Sequence, residues 1–267
     1  MTEREQSLSE AEKESLLEDY GKFLKVYVRA GNPNTKREYE NLIAQTGEAE
    51  FIRRHPFRRA AYYSRREMQQ IFEILGKGGG AGVDIGDQLL IFSHLLPNLG
   101  SERDKVLSVG CGMAPIEIFL SSKGTLKGEI LGIDIAKSSL KKARDLAKAA
   151  KVKNLRFEQK DAEEMGYDGE FDLVLAIDYL QWIKDWKNTL SRSVKALREG
   201  GRLFFCYSAS PHRAKIGEDK AANFLTEIGA PCRQTVFVDH SGQPRITIFG
   251  KKEKPDGKLL IVTKERF

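Results

Sequence analysis

The chain has 267 residues, of which 40% are hydrophobic and 31% charged, and 44 basic against 38 acidic residues give it a net charge of +6. This length accommodates one large α/β domain with an appendage, or two small domains. No apolar run reaches the roughly 18 residues of a membrane span, and the polar, acidic N-terminus is unlike a signal or transit peptide. Three widely spaced cysteines indicate neither a disulfide framework nor a zinc site. We therefore expect a cytoplasmic protein with reduced thiols and without a membrane or metal partner.

The first hundred residues are predicted to be helical. Apolar side chains recur at helical spacing through 9–30, and Ser9 with Glu12 forms a capping box at the start of this helix. Further helices are predicted at 35–45, 58–75 and 87–96. Because no strand pattern lies among them, residues 1–100 are predicted to form a helical cap, or lid, on the α/β domain expected at 101–267.

A strand, a glycine turn, a helix and a second strand follow. The apolar run at 105–109 stops at the glycine turn 110–112, and a helix begins at Pro115, where a missing N–H costs no helical hydrogen bond. The second strand, 129–133, ends in a carboxylate, Asp134. This order is typical of half of a nucleotide-binding sheet, in which glycines let the backbone approach the ligand and the acidic residue accepts from the ribose hydroxyls. The third glycine of the dinucleotide pattern GxGxxG is absent, so a pyrophosphate ligand is not indicated.

Downstream of this unit, helices and strands alternate. The predicted helices cover 137–150, 185–197 and 219–228. The predicted strands cover 155–158, 171–177, 202–207, 234–238 and 245–249. The run at 171–177 is almost continuously apolar, as expected for a parallel strand that is covered on both faces.

Two stretches carry a family resemblance. VLSVGCGMA at 106–114 is similar to the motif VLDxGCGxG, and FDLVLAIDYLQWIKDWKNTLSRSVKALREGGRLFF at 171–205 has the order strand, acidic turn, aromatic pair, helix and hairpin. Both resemble the class I S-adenosylmethionine (SAM)-dependent methyltransferases, and the likeness covers 104–250. It implies SAM as cofactor and a Rossmann-like seven-stranded sheet, mostly parallel with an antiparallel edge hairpin. The chain departs from the motif at Ser108, where the family usually has an acidic residue, and at Ala114, in place of the third glycine.

The resemblance implies a SAM site along the loops at the carboxyl ends of the strands. The cofactor-binding residues it implies are Gly110, Cys111, Gly112, Asp134, Ile135, Asp161, Ala162 and Asp178. In this arrangement Asp134 binds the ribose hydroxyls and Ile135 lies against adenine. Asp161 accepts from the adenine amino group, and Ala162 donates its backbone N–H to the ring. Each carboxylate could instead have a purely structural role. Asp134 and Asp178 could solvate the ends of their strands, and Asp161 could belong to the acidic start of a helix.

The acceptor side is less defined by the sequence. Tyr62, Tyr63, Tyr179 and Trp182 are candidates to line an acceptor pocket beneath the cap, and Trp182 is equally well explained as a core residue. Methyl transfer needs a base only when the nucleophile is protonated. His212, in the loop after the strand at 202–207, is the candidate for that base, its alternative being an exposed loop histidine.

Three functions are compatible with this sequence. The first is a SAM-dependent methyltransferase with a small-molecule acceptor. The second is an RNA or protein methyltransferase that binds its partner through the basic segment 53–66. The alternative interpretation of this segment is a solvated helix face without a partner. Nucleic acid is not favoured, because the strand at 171–177 is followed by Asp-Tyr-Leu-Gln instead of the motif of nucleobase amino methyltransferases. The third is a non-catalytic SAM-fold subunit with a binding or regulatory role.

Overall fold

The computed structural model describes residues 8–29, 85–99, 101–177, 183, 185–208, 220–230, 232–238 and 244–251. The helices predicted at 35–45 and 58–75 lie outside these residues, as does the basic segment 53–66.

Two N-terminal helices are described. They are α1 (Glu10–Arg29) and α2 (Ile85–Leu95), and a 3-10 turn at Leu96–Asn98 continues α2. The predicted capping box is confirmed: the Ser9 backbone N–H donates to Glu12 Oε2 at 2.8 Å, and the Glu12 backbone N–H donates to Ser9 Oγ at 3.3 Å. Each side chain thus satisfies a backbone donor that the helix start leaves without an internal partner.

Five parallel strands form the central sheet. They are β1 (Val106–Val109), β2 (Ile130–Asp134), β3 (Leu155–Gln159), β4 (Phe171–Ile177) and β5 (Leu197–Ser208). Their spatial order is β3-β2-β1-β4-β5, and every neighbouring pair among them is parallel. The strand order reverses between β1 and β4, so ligands are expected outside the carboxyl ends of the strands at this point. The predicted Rossmann-like α/β fold is confirmed.

Helices cover both faces of this sheet. They are α3 (Pro115–Ser122), α4 (Lys137–Ala149), α5 (Trp186–Ala196) and α6 (Lys220–Glu227). Side chains of β1 alternate between two cores, as the two-residue period of a strand requires. Leu107 lies in a core with residues of α5 and α6, whereas Val106 lies in a core with residues of α1, α2 and α3.

The start of β5 differs from the prediction. The strand expected at 202–207 begins at Leu197, which pairs with Phe171 before a register shift in the ladder. Gly200 has a φ of 74°, and a Cβ on Gly201 would lie 3.0 Å from the carbonyl oxygen of Phe171. The sequence, in which Gly200 and Gly201 stand between the predicted helix 185–197 and the predicted strand 202–207, suggests that they end the helix, and this interpretation is wrong. They form an irregularity inside the strand, where a left-handed backbone and a close approach both favour glycine.

Two further strands follow β5 in the chain and continue the hydrogen-bonded ladder beyond it. They are β6 (Cys232–Val238) and β7 (Pro244–Lys251), and β7 pairs antiparallel with both β5 and β6. With them, the order of strands across the sheet is β3-β2-β1-β4-β5-β7-β6.

An aromatic cluster joins the N-terminal helices to α3. The ring of Tyr20 on α1 lies 4.2 Å from that of Phe92 on α2 and 5.0 Å from that of Phe119 on α3, between centroids. All three side chains are fully buried or nearly so. At the edge of the cluster, Lys123 Nζ lies 2.5 Å from Asp19 Oδ2. The helix that follows the glycine turn is therefore packed between the sheet and the N-terminal helices.

Candidate functional site

The carboxyl ends of three neighbouring strands are tied together by backbone hydrogen bonds. The Cys111 N–H, just after β1, donates to the carbonyl oxygen of Ile133 on β2 at 3.0 Å. The Lys160 N–H, just after β3, donates to the carbonyl oxygen of Asp134 at 3.0 Å. Since β1, β2 and β3 are adjacent, the loops that carry most of the predicted cofactor residues lie side by side.

The glycine turn has a left-handed backbone at alternate residues. The φ angles are 66° at Gly110, 54° at Gly112 and 54° at Ala114. Ala114 thus adopts the conformation that the missing glycine would have, at a cost of about 1 kcal/mol in backbone strain. Its N–H donates to the Cys111 carbonyl at 2.8 Å, and its carbonyl accepts from the Ile118 N–H at 3.0 Å at the start of α3. The alanine therefore leaves the turn intact.

The backbone of Gly112 faces open space. A Cβ built at this position meets no atom within 4 Å. Such an opening beside a turn of backbone amides suits the close approach of a ligand, which is the chemical reason for glycine in nucleotide-binding turns.

Asp134 joins β2 to the glycine turn. Its Oδ2 accepts from the Gly112 N–H at 2.9 Å, and its Oδ1 accepts from the Ala136 N–H at 2.7 Å. These two amides orient the carboxylate at the end of β2, where the side chain is half-buried. A carboxylate oxygen can accept more than one hydrogen bond, so this arrangement is compatible with hydroxyl donors from a ribose. The role of Asp134 in bracing the turn was not predicted.

Cys111 packs against the strand beneath it. A Cβ on Gly132 would lie 2.9 Å from Cys111 Sγ, so glycine at this position gives the thiol its space. Burial raises the pKa of the Cys111 thiol well above its ordinary value, and the nearby carboxylates of Asp134 and Glu117 raise it further. The thiol is therefore protonated at neutral pH, and the side chain fills space in the turn.

A buried carboxyl group lies at the base of the turn. Ser108 Oγ donates to Glu117 Oε1 at 2.5 Å, and both residues are only 3% exposed. Burial raises the pKa of Glu117, and the hydrogen bond from Ser108 acts in the opposite direction. The first motif lacks its acidic residue on β1, and the structure supplies a carboxyl group there from α3 instead. The one signal in the sequence was an acidic residue between Ile116 and Ile118.

The loop after β3 begins with a capped turn. Asp161 Oδ1 accepts from the Glu163 N–H at 2.8 Å and caps a 3-10 turn at Ala162–Glu164. The structural alternative for Asp161 is thus realised, and its contact with adenine stays a prediction. Nearby, the Gln159 side-chain amide donates to the carbonyl oxygen of Ile135 at 3.1 Å, which joins this loop region to the one after β2.

Two residues of α5 that the sequence analysis missed hold the same loop. Asn188 Nδ2 donates to the carbonyl oxygen of Glu163 at 3.1 Å, and Arg192 Nη1 donates to that of Met165 at 2.5 Å. Arg192 Nε also donates to Asn188 Oδ1 at 3.1 Å. In the sequence, their spacing of four residues indicates only that the two side chains lie on the same face of one helix. Which loop this face contacts depends on the packing of the helix.

The remaining predicted site residues lie outside the part of the chain that the structure describes. They are Asp178, Tyr179, Trp182, His212, Tyr62 and Tyr63. Their roles stay predictions.

Comparison with known families decides the assignment. A model of the methyltransferase domain matches residues 101–254, more than half of the chain. The chain belongs to the methyltransferase domain family. The resemblance to the class I SAM-dependent methyltransferases is therefore confirmed, and SAM is the cofactor of this family.

Relatives of this methyltransferase domain act on different compounds. The trans-aconitate 2-methyltransferase of Deinococcus radiodurans is 32% identical over 155 residues, which cover 57% of this chain and 57% of that protein. The 27-O-demethylrifamycin SV methyltransferase of Amycolatopsis mediterranei is 32% identical over 141 residues, 51% of this chain and 50% of that protein. The chain spans about half the length of the curated relatives it matches.

Solved structures support the fold. A crystal structure of a Pyrococcus horikoshii protein matches this methyltransferase domain with a TM-score of 0.52 at 18% identity, over 62% of this chain and 90% of that one. Separately, none of the helices within the described segments is long and apolar enough to cross a membrane.

Proposed function

We propose that this methyltransferase domain transfers the methyl group of SAM to a small-molecule acceptor. The acceptor is held between the carboxyl edge of the sheet and the N-terminal helices. The observation that carries the proposal is the contact of the Gly112 N–H with Asp134, because it combines an open glycine turn and an oriented carboxylate at one place. The open turn leaves room for the amino-acid part of SAM, and the carboxylate oxygens of Asp134 can accept further hydrogen bonds from its ribose hydroxyls.

The cofactor assignments extend along the same edge of the sheet. The residues proposed to hold SAM are Gly110, Cys111, Gly112, Asp134, Ile135, Asp161, Ala162 and Asp178. Bound there, SAM supplies an electrophilic methyl group on a sulfonium. Asp134 then orients the ribose, and Asp161 with the Ala162 N–H selects adenine. The protein's contribution to the reaction is to hold the acceptor in line with the methyl group and to exclude water.

The acceptor side is proposed on the sequence alone. Tyr62, Tyr63, Tyr179 and Trp182 line the pocket, and His212 takes the proton of the nucleophile when the nucleophile carries one. Residues 1–100 form the cap and residues 101–267 the SAM-binding domain, whose seven-stranded sheet ends in the antiparallel edge formed by β6 and β7. The contact of α1 and α2 with α3 supports a cap that is joined to the cofactor-binding side.

The kind of acceptor rests on the relatives. Both relatives above are named as methyltransferases of small molecules, which favours a small-molecule acceptor over RNA or protein. The departures from the motif at Ser108 and Ala114 are the features that favour the non-catalytic alternative. This alternative is less favoured because Ala114 adopts the left-handed backbone of the missing glycine and Glu117 brings a carboxyl group to Ser108.

The test is incubation of the purified chain with methyl-labelled SAM and a fractionated cell extract, followed by mass spectrometry of each fraction. Label in a small molecule is the expected result. Label in RNA or in protein would replace the proposed acceptor by the alternative class. Binding of SAM without any labelled product would favour the regulatory subunit, and a chain that binds no SAM by calorimetry would overturn the proposal altogether.

A further inference from the structure

We infer that Asn188 and Arg192 are positioning residues for the adenine end of the cofactor site, acting through the loop at 161–165. This inference rests on the proposed function, because the loop carries Asp161 and Ala162.

Helix α5 supplies hydrogen-bond donors to the carbonyl side of this loop. Asn188 Nδ2 donates to the Glu163 carbonyl at 3.1 Å, and Arg192 Nη1 donates to the Met165 carbonyl at 2.5 Å. Two side chains of α5 therefore satisfy carbonyl groups at the end of the turn.

The two donors form one unit. Arg192 Nε donates to Asn188 Oδ1 at 3.1 Å, so the guanidinium group orients the amide that contacts the loop. Both side chains are half-buried, and the Asn188 backbone N–H is itself fixed by Asp185 Oδ1 at 3.1 Å at the start of α5. A bond from a charged donor in such surroundings is stronger than one between neutral groups.

The position of the turn decides which groups meet adenine. Asp161 caps the turn at its first end, Ala162 is buried at 7% exposure, and Met165 is fully buried at the other end. The Met165 side chain is anchored in the core. The hydrogen bonds from α5 to the carbonyl groups of Glu163 and Met165 therefore set the orientation of the backbone between Asp161 and Met165. A shift of the order of 1 Å in a positioned group is enough to weaken recognition. Loss of Asn188 or Arg192 should therefore affect recognition of the base more than recognition of the ribose.

The experiment compares two ligands that differ only at the base. S-adenosylhomocysteine carries the amino group that Asp161 is proposed to contact, and S-inosylhomocysteine carries a carbonyl oxygen there. Their Kd values are measured by calorimetry for the wild-type chain, Asn188→Ala, Arg192→Ala and Arg192→Lys. Lys195→Ala is the matched control, because Lys195 is exposed on the same helix and pairs with the exposed Asp168.

Wild type should prefer the adenosine ligand. In Arg192→Ala and Asn188→Ala this preference should fall by about three- to tenfold, as expected for the loss of one or two hydrogen bonds. Arg192→Lys should restore part of it, because lysine keeps a charged donor, and Lys195→Ala should leave it unchanged. If Arg192→Ala does not fold, Asn188→Ala and Arg192→Lys carry the same comparison.

A double-mutant cycle separates a local effect from general destabilisation. In a chain that already carries Asp161→Ala, adding Arg192→Ala should lower the affinity for S-adenosylhomocysteine only slightly further, because both changes act on the same contact. In a chain that carries Asp134→Ala, the losses in binding free energy from the two changes should add. Equal weakening of both ligands, or additive losses with Asp161→Ala, would overturn this inference while leaving the proposed function in place. A wild-type chain that binds neither ligand would overturn both.

Discussion

The backbone N–H of Gly112 lies 2.9 Å from Asp134 Oδ2, which joins the turn after β1 to the carboxylate at the end of β2. One side chain thus has two tasks: it holds the glycine turn in place and presents oxygen atoms at the edge of the sheet. The two tasks can be separated by substitutions that keep or remove the oxygen atoms.

Removal of the Asp134 carboxylate should weaken the binding of SAM. We expect Asp134→Ala to lower the affinity by about 10- to 100-fold, because two hydrogen bonds to a charged group are lost, each contributing about 1.5–3 kcal/mol before water compensates. Asp134→Asn should have a smaller effect, since its amide keeps one acceptor oxygen. Titration calorimetry measures both, and Asp145→Ala, which changes an exposed carboxylate on α4, serves as control. An affinity equal to that of wild type in Asp134→Ala would remove Asp134 from the site.

The buried carboxyl of Glu117 should make stability fall as pH rises. Burial raises its pKa in the folded state, so the folded chain holds this proton to a higher pH than the unfolded chain does. The stabilisation is fully present below the ordinary pKa of the group and is lost as pH rises through the raised one. Glu117→Gln keeps the shape of the side chain and removes the ionisation.

We therefore expect the free energy of unfolding of Glu117→Gln, relative to wild type, to increase as the pH rises above the ordinary pKa of the group, 4.5, and through its raised pKa in the folded state. Urea unfolding at a series of pH values measures this difference. Asp104 also has a pKa raised by burial, but it is present in both proteins and cancels in the comparison. A difference that does not vary with pH would show that Glu117 ionises as freely in the folded state as in the unfolded one.

Glycine at position 114 should be tolerated or favourable. Ala114 has a φ of 54°, and relief of this strain, about 1 kcal/mol, exceeds or balances the extra chain entropy of glycine. We expect Ala114→Gly to leave the free energy of unfolding unchanged or to raise it by up to about 1 kcal/mol. Ala143→Gly, in the middle of α4, should instead lower it by about 1 kcal/mol or more. Similar losses in both variants, measured by urea unfolding, would contradict the left-handed backbone.

The N-terminal helices should be coupled energetically to α3. Phe119→Ala should destabilise the protein by about 3–5 kcal/mol, because a buried aromatic side chain is lost. Tyr20→Ala removes the partner ring, whose centroid lies 5.0 Å away, and a double-mutant cycle should give a coupling of about 0.5–1.5 kcal/mol. The rings of Tyr167 and Phe171, whose centroids lie 5.3 Å apart in the core on the other face of the sheet, give an independent reference pair. A coupling of zero between Tyr20 and Phe119 would mean that α1 does not pack on the domain in solution.

Local patterns were sufficient for most elements of the parallel sheet. The apolar run of β4 was predicted at its observed bounds, and the capping box of α1 was predicted with its two residues. Both depend on neighbours in sequence, through side-chain period and short-range hydrogen bonds. The irregular start of β5 was not predicted, because it depends on how Leu197 pairs with Phe171 on another strand.

For the described part of the chain, the sequence by itself determined the order of strands and helices, the glycine turn and the carboxylate at the end of β2, because each depends on residues that are close along the chain. Only the tertiary structure decided that Glu117 reaches Ser108 and that Asn188 and Arg192 hold the loop after β3. These contacts join separate elements, and their partners are set by how helices cross the sheet. A buried polar group must find its hydrogen-bond partner wherever packing places it, and the identity of that partner is not encoded in the spacing of the residue itself.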